Sequence, residues 1–281
     1  MTRLLREGVQ GTFVMGARTD VERVRLHVFL ARAGAGSRRG MEAAIRDGRV
    51  RVDGEVVRMM GTKIDPRRAR VMLDGQRVSP ATTDVLVVAL HKPVGVVTTV
   101  RDPEGRETVM DLLPNRLRGT RLYPVGRLDF MSEGLVLMTN DGALAHRLMH
   151  PRFGHEREYE VKVRGRVPRD LQRQFSVGVA IGDVRRARAE VRSLRYAAGG
   201  ATLRLVLREG RNRQVRRMCE AVGHPVARLI RTRIGPLVDR TLGPGSHRTL
   251  VAEEIQVLRQ AVADRAAEVP ETSSGRSPAD R

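Results

Sequence analysis

The pattern of apolar and polar positions predicts a helical pair near the start of the chain. Across residues 24–34 the apolar side chains recur at helical spacing, and Gly34 ends the helix. Ser37 can cap a second helix, which runs to Gly48 and has an apolar face of its own. The residues expected to be buried on these two helices are Leu26, Phe29, Leu30, Ala33, Met41, Ala44 and Ile45.

Short strands and turns follow the helical pair. The segment RVRVDGEVV alternates apolar and polar residues around an Asp53–Gly54 turn, which predicts a hairpin. ARVMLDGQRV repeats the arrangement of strand, turn and strand. We therefore predict a first domain over residues 23–82 in which two helices precede the strands.

Strand patterns dominate the next part of the chain. VLVVALHKPVGVVTTV favours strands around a turn at 93–95, and LVLM at 135–138 predicts a buried strand. A short helix, ALAHRLMH, is followed by the strands REYEVKVRG and ATLRLVLREG and by the helix NRQVRRMCEAVG. The expected fold of residues 83–263 is α+β, with a mixed, mostly antiparallel sheet flanked by helices.

The two ends of the chain lack any sustained period. We predict a disordered arm over residues 1–22, in which Met15 is an alternative start to Met1, and a disordered tail over residues 264–281. No apolar run approaches the roughly 18 residues of a membrane span. The single cysteine, Cys219, permits neither an intramolecular disulfide nor a cysteine-based zinc site and is expected to be buried. We expect a cytoplasmic protein that does not contact membranes.

Charge points to a polyanionic partner. The chain carries 52 basic and 32 acidic residues, a formal net charge of +20, which favours nucleic acid over an acidic membrane surface. The only lysines are Lys63, Lys92 and Lys162. Arginine matches phosphate and stacks on exposed bases, which suits RNA. A GC-rich genome is an alternative explanation of the arginine excess, although it does not explain the net charge.

The segment YPVGRLDFMSEGLVLMTNDG (residues 123–142) contains the leading candidate for chemistry. Asp129 follows Arg127 in a loop just before the predicted buried strand, and Gly134 permits a turn. Neighbouring positive charge favours the ionised form of a carboxylate. An anionic aspartate here can serve as a nucleophile, a general base or a metal ligand. On physical grounds alone, a salt bridge or a loop cap is the favoured role.

The pattern G-R-L-D-x-x-S-x-G-L-x-x-x-T-N-D-G resembles the catalytic motif of pseudouridine synthases of the RsuA/RluB type. The segments HKPVG (91–95), REYEV (157–161) and EGRNRQVRRM (209–218) are similar to three further motifs of that family, in the family's order. The first domain, with its GSRR segment, resembles the S4 RNA-binding domain. The resemblance implies an enzyme that isomerises a uridine in ribosomal RNA without a cofactor or a metal.

The resemblance also implies roles for individual residues. Asp129 would attack a flipped nucleotide, Tyr159 would lie against the uracil and help remove the C5 proton, and Arg216 would pair with Asp129. Base flipping costs a few kcal/mol, which a closely fitting pocket offsets. The residues expected to bind the substrate are Arg127, which fills the gap left by the base, Val215, which packs under it, and Lys92, Arg211 and Arg213. The residues expected to bind RNA in the S4 domain are Arg32, Ser37, Arg38, Arg39 and Arg46.

Other interpretations of these residues stay open. Tyr159 is by its strand pattern a half-buried packing residue, Arg216 fits a basic helix face, and Lys92 fits a structural or phosphate-facing role. The histidines His146, His150 and His224 lack metal-ligand spacing.

The expected partner is 23S rather than 16S ribosomal RNA, free or in an assembling particle, bound by a monomer. A non-catalytic ribosome-assembly factor and a tRNA pseudouridine synthase are the alternatives. His91, Phe130, Met131, Ser132 and residues 246–248 depart from the family pattern, which affects any inference about the target uridine.

Overall fold

The computed structural model describes residues 23–79, 84–182 and 184–268. The chain divides into two compact units, residues 1–83 and 84–281, one residue later than the division expected from sequence. Each unit has a hydrophobic core of its own. The predicted arm, residues 1–22, lies outside the described residues. No helix in the described part is both long enough and apolar enough to cross a bilayer.

The first unit pairs two helices with short strands. In chain order, its elements are β1 (Val24–Arg25), α1 (Leu26–Arg32), α2 (Arg38–Arg46), β2 (Val50–Val52), β3 (Glu55–Val56), β4 (Lys63–Ile64), β5 (Val71–Leu73) and β6 (Gln76–Val78). Strands β3, β2, β5 and β6 form an antiparallel sheet in that order, and β1 pairs with β4. The predicted succession of two helices and two hairpins is confirmed, whereas the pairing of β1 with β4 was not foreseen.

The helical pair folds as its apolar pattern predicts. The Ser37 hydroxyl accepts a hydrogen bond from the Gly40 amide at 3.0 Å, so it caps α2 as expected. Six of the seven residues predicted to be buried are buried, and Ala33 is half-buried. Ala31 is buried in addition, because the helix presents a wider apolar face to the core than the pattern indicated.

The second unit is a larger α+β domain. Its strands are β7 (Val87–Lys92), β8 (Tyr123–Val125), β9 (Glu133–Thr139), β10 (Arg157–Arg164), β11 (Val179–Ile181), β12 (Val184–Ala187), β13 (Glu190–Ala197), β14 (Gly200–Leu207), β15 (Val226–Ile234), β16 (Leu237–Val238) and β17 (His247–Thr249). Its helices are α3 (Asn115–Arg118), α4 (Gly142–Met149), α5 (Leu171–Val177), α6 (Gln214–Ala221) and α7 (Ala252–Glu268), with a 3₁₀ turn at Pro151–Phe153.

One mixed sheet organises this unit. Its strand order is β13-β14-β10-β15-β9-β7-β17, with β16 added to β15 and β8 added to β9. Strands β15 and β9 pair in parallel, whereas the other neighbours pair antiparallel. The predicted mixed, mostly antiparallel sheet is therefore confirmed. The parallel pair joins two antiparallel halves at the centre of the sheet.

Strand β9 lies at the most buried part of the sheet. All seven of its residues are buried. Leu135 and Leu137 pack on one face against α4 and α7, while Val136 and Met138 pack on the other face with Val88. Burial on both faces explains the continuous apolar run that predicted this strand, and it gives the loop that precedes β9 a rigid support.

Two expectations about the second unit are wrong. The strand expected after the turn at 93–95 is absent from the described residues, where Val97 makes a single bridge to Thr108. Residues 264–268 do not belong to the expected disordered tail, because α7 continues to Glu268. Leu258 and Val262 anchor this helix in the core, and a pair between Arg265 and Glu268 (2.9 Å) supports its last turn. Residues 269–281 lie outside the described residues.

Gly134 allows the two central strands to approach closely. It lies inside β9, not in the turn expected from sequence, with φ of +109°. A Cβ atom there would stand 2.4 Å from the Arg231 carbonyl oxygen on β15 and 2.6 Å from its backbone nitrogen. Both atoms are backbone of a paired strand, so they cannot move aside without disturbing the sheet.

Gly134→Ala should therefore lower the free energy of unfolding by about 3 kcal/mol or more, because it adds backbone strain to a clash in the core. Gly119→Ala is the matched control, since Gly119 has a negative φ and a methyl group at its Cα would meet no atom within 4 Å. The control should change the free energy by less than about 0.5 kcal/mol. Urea unfolding of the three proteins measures both changes, and equal effects of the two substitutions would contradict the close-approach argument.

Candidate active site

Six of the eight residues predicted to act on the substrate line one cavity in the second unit. The cavity has a volume of about 440 Å³ and lies where the loop before β9, strand β10 and the start of α6 meet. The six residues are Arg127, Asp129, Tyr159, Arg211, Arg213 and Val215. Lys92 and Arg216 do not line it, although both bond to the loop that carries Asp129.

Asp129 is half-buried in the loop of residues 127–132, which we call the Asp129 loop. Among the residues that the structure describes, no side chain forms a hydrogen bond or an ion pair with its carboxylate. Within that part of the chain, the carboxylate lines the cavity without a hydrogen-bonding partner, and the expected salt bridge is not formed. A group in this position is available to a bound ligand.

The backbone of the Asp129 loop is held at every carbonyl from residue 127 to residue 131. The donors, in the order of those carbonyls, are Arg231 Nη1 (3.4 Å), Thr98 Oγ1 (2.9 Å), Ser132 N (2.9 Å), Gly95 N (3.0 Å) with Lys92 Nζ (3.5 Å), and Arg216 Nη2 (2.6 Å). The Thr98 hydroxyl also accepts from the Leu128 amide at 3.2 Å. These bonds fix the position from which the Asp129 side chain leaves the backbone.

Lys92 is a structural residue, so its predicted contact with substrate is wrong. Its side chain is fully buried, and Nζ donates to the carbonyls of Pro93 (2.7 Å) and Val96 (2.8 Å) as well as to the Asp129 loop. Burial lowers the pKa of Lys92 to about 8, although the charges of Asp129 and Glu133 oppose the shift. An ammonium enclosed in this way cannot reach RNA.

Arg216 supports the loop rather than the carboxylate. It is 9% exposed, and its Nη2 lies 2.6 Å from the Met131 carbonyl oxygen and 3.4 Å from Ser132 Oγ. Burial, together with the charge of Arg213, lowers the pKa of Arg216, while the charge of Asp129 raises it. The expected direct ion pair with Asp129 is therefore not formed within the described residues. The basic helix face considered as the alternative does not include Arg216, because its side chain points inward.

Tyr159 and Val215 provide the apolar part of the cavity. Tyr159 is half-buried on β10, where its cross-strand partners are Leu205 and Arg231. Its ring packs against the cores on this side of the sheet and also lines the cavity. Val215, on α6, is 5% exposed. It also packs against a hydrophobic core and lines the cavity. The packing interpretation of Tyr159 and a role in the cavity are thus compatible.

Three supporting residues were not singled out from the sequence. Arg231 is 3% exposed and donates to the carbonyl of Leu135 at 2.7 Å, and Arg157 donates to the carbonyl of Leu148 at 3.0 Å. Gln214 bonds Glu209 (2.7 Å) and the Arg211 amide (3.0 Å), which shapes the loop before α6. Alternation along β15 places Arg231 on the same face as buried Leu229, which is the signal that could have identified it.

The remaining predicted residues are placed as follows. Arg32, Arg38, Arg39 and Arg46 are exposed on the helical pair of the first unit, and Ser37 is the cap of α2. Cys219 is buried as expected, and burial raises the pKa of its thiol to about 12. Within residues 23–79, 84–182 and 184–268, no group of three His, Cys, Asp or Glu side chains comes together as a metal site would require.

Comparison with known proteins identifies the family. The model of the family described as RNA pseudouridylate synthase matches residues 86–221, and the S4 domain model matches residues 24–66. An RNA pseudouridine synthase of Mycobacterium tuberculosis is 45% identical over 241 residues, which cover 85% of this chain and 94% of the relative. The chain belongs to the RNA pseudouridine synthase family. The synthase is therefore an isomerase that acts on RNA, as the motifs predicted.

Further relatives extend the comparison across nearly the same length of the synthase. A protein of Vibrio cholerae named ribosomal large subunit pseudouridine synthase B is 44% identical over 245 residues, 85% of this chain and 75% of the relative. A protein of the same name from Bacillus subtilis is 38% identical over 242 residues, with 85% and 97% covered. A solved pseudouridylate synthase is 29% identical, with a TM-score of 0.59, over 84% of this chain and 99% of its own.

The buried Lys92 should make the stability of the synthase depend on pH in the alkaline range. In the native state Lys92 has a pKa of about 8, against an ordinary value of 10.5, so between these pH values the unfolded chain binds a proton that the native state has released. The free energy of unfolding of the wild type should then rise with pH in this interval, relative to that of Lys92→Met. Urea unfolding at pH 8 and at pH 10.5 measures the difference.

Lys162→Met is the control, because Lys162 is exposed on β10. The difference in stability between the wild type and this variant should stay constant over the same interval. If Lys92→Met behaves like Lys162→Met, the ammonium of Lys92 is not desolvated in the native protein.

Proposed function

We propose that the protein converts one specific uridine of ribosomal RNA to pseudouridine, with Asp129 as the catalytic nucleophile. The observation that carries the proposal is the half-buried Asp129 carboxylate, which has no side-chain partner within the described residues and stands on a loop whose backbone is held at each carbonyl. A nucleophile already in position loses little free energy to reorganisation when the substrate arrives.

The proposed reaction is an isomerisation of a flipped nucleotide inside the cavity. The bond between N1 of uracil and C1′ of ribose breaks, a bond between C5 and C1′ forms, C5 loses a proton and N1 gains one. Asp129 provides the attacking carboxylate, and Tyr159 lies against the ring with its hydroxyl available for the C5 proton. Val215 provides the opposite apolar surface. The bonds and protons of this reaction balance, so it needs no oxidant or reductant.

The cationic residues around the cavity fit a role in holding the RNA strand. Arg127 and Arg213 are exposed, and Arg211 is half-buried on the loop before α6. We propose that Arg127 enters the gap left by the flipped base and that Arg211 and Arg213 bind phosphates. Lys92, Arg216 and Arg231 act as positioning residues, because their contacts are to the Asp129 loop.

The proposed substrate is large-subunit ribosomal RNA, free or in an assembling particle in the cytoplasm. Relatives at 38% and 44% identity are named ribosomal large subunit pseudouridine synthase B, and they cover 85% of this chain. The S4 domain is proposed to supply phosphate contacts that orient the RNA, through the exposed arginines of α1 and α2. The protein is proposed to act as a monomer.

Asp129→Asn should abolish conversion of the target uridine, by at least about a thousandfold in single-turnover rate, because the amide is not a nucleophile. Chemical mapping of pseudouridine in 23S rRNA, 16S rRNA and tRNA, each incubated with the wild type or the variant, identifies the target in the same experiment. Asp170→Asn is the control, since Asp170 is exposed before α5 and does not line the cavity.

Each outcome of this mapping has a distinct meaning. Conversion by the wild type and by Asp170→Asn, but not by Asp129→Asn, is the expected result. Conversion of a tRNA uridine alone would replace the proposed substrate. A variant Asp129→Asn that retains full activity would exclude Asp129 as the nucleophile, and its thermal unfolding must match the wild type before the rates are compared.

The S4 domain should contribute a measurable share of the salt dependence of RNA binding. Arg38→Gln combined with Arg39→Gln should reduce the slope of log affinity against log salt by up to about 1.8, since each lost phosphate contact is worth about 0.7–0.9. Fluorescence anisotropy with labelled 23S rRNA fragments over a range of KCl concentrations measures the slope. Arg70→Gln with Arg77→Gln, exposed on the same unit, is the control. An equal slope for both double variants would contradict a specific role of α2.

A further inference from the structure

A second groove adjoins the catalytic cavity on the same side of the second unit. Its volume is about 700 Å³, within the range of about 300–1,000 Å³ that ligand-binding clefts occupy. Pro151, Glu209 and Arg211 line both the groove and the cavity, so the two meet along these residues. A ligand that extends beyond the cavity can therefore continue into the groove.

The floor of the groove is apolar. Ala189 and Val191 form it, and each is at most 6% exposed, while Val206 lines the groove from the other face of the sheet. Gln172 and Ser176 of α5 stand at its edge and carry polar groups that can bond the edge of a base. A surface of this kind accepts the flat face of an unstacked nucleobase, which an ordinary solvated surface does not.

Arg186 and Arg188 supply positive charge at the rim. Both are exposed, and neither has a hydrogen bond or an ion pair among the residues that the structure describes. The other two arginines of the groove already have partners, because Arg208 bonds Glu156 at 3.0 Å and Arg211 pairs with Glu209 at 3.0 Å. The charge available to an anion is therefore concentrated at Arg186 and Arg188.

The segment that carries these two arginines is fixed to α5. The Ala189 amide donates to the Phe175 carbonyl at 3.1 Å. Gly178 has φ of +105°, and a Cβ atom there would lie 3.0 Å from Cβ of Arg186 and 3.1 Å from Cγ of Arg188. The bare glycine thus leaves room for the stems of both arginine side chains beside α5.

We propose that this groove binds a nucleotide adjacent to the target uridine on the same RNA strand. The base lies on the floor of Ala189 and Val191, and its phosphate lies between Arg186 and Arg188. The inference rests on the proposed function, because it extends the strand from the flipped nucleotide in the cavity. It makes Arg186 and Arg188 determinants of substrate affinity and not of the chemical step.

The test compares Arg186→Gln/Arg188→Gln with the control Arg166→Gln/Arg169→Gln, which removes the same charge from exposed positions outside both the cavity and the groove. Binding of labelled single-stranded oligouridines of increasing length is measured by fluorescence anisotropy at one salt concentration. The wild type and the control should gain affinity in a step once the strand is long enough to enter the groove. The groove variant should lose that step and bind long strands about tenfold more weakly.

A kinetic measurement on the mapped RNA substrate completes the test. The groove variant should raise KM about tenfold and leave kcat within about twofold, since the lost contacts are remote from the reacting atoms. Affinity and KM equal to those of the control would overturn the proposal, as would a loss of kcat with unchanged affinity. Failure of the proposed function is distinguishable, because the wild type would then form no pseudouridine while the binding step remained measurable.

Discussion

Burial of three cationic side chains against one loop is the constraint on which the catalytic unit depends. Lys92, Arg216 and Arg231 come from β7, α6 and β15, and each donates to a carbonyl of the Asp129 loop. Removing a cation from water costs several kcal/mol, which charge-assisted bonds to carbonyl oxygens offset only when the geometry is good. The loop therefore reaches its functional conformation only when all three elements have assembled around it.

The central parallel strands place this loop beside β15. The direct pairing is short, Ile230 with Glu133 and Arg231 with Gly134, and an ion pair between buried Glu133 and exposed Arg228 fixes its register. Glu133 receives bonds from Arg228 at 2.6 and 3.1 Å, and these bonds lower the pKa of the Glu133 carboxyl group despite its burial. A shift of one residue would separate this pair and bring a side chain where Gly134 must stand. The register of β9 against β15 is therefore fixed at Glu133, and this also fixes the position of Asp129, which lies four residues earlier.

The sequence was sufficient to predict an element whose pattern is local. It was insufficient to predict the role of a residue that depends on distant partners. Ser37 at the start of α2 and the apolar run of β9 are local signals, and both elements formed as predicted. Lys92 resembled a phosphate-binding lysine because nothing in HKPVG reveals that Val96 and residue 130 would surround it. For the same reason the contact of Arg216 with Ser132, 84 residues away, was not foreseen, and the likeness to the family pattern implied a pair with Asp129 instead.

The presence of lysine at position 92 is itself informative. Only three of the 52 basic residues are lysine, so arginine stands at nearly every position where either side chain would serve. At Lys92 three acceptors, the carbonyls of residues 93, 96 and 130, converge on one nitrogen. An ammonium has three donors arranged around a point, whereas the donors of a guanidinium lie in a plane and need a larger space. One of the three exceptions to the arginine excess thus falls at a site whose geometry favours an ammonium over a guanidinium, which ties this lysine to the position of the Asp129 loop.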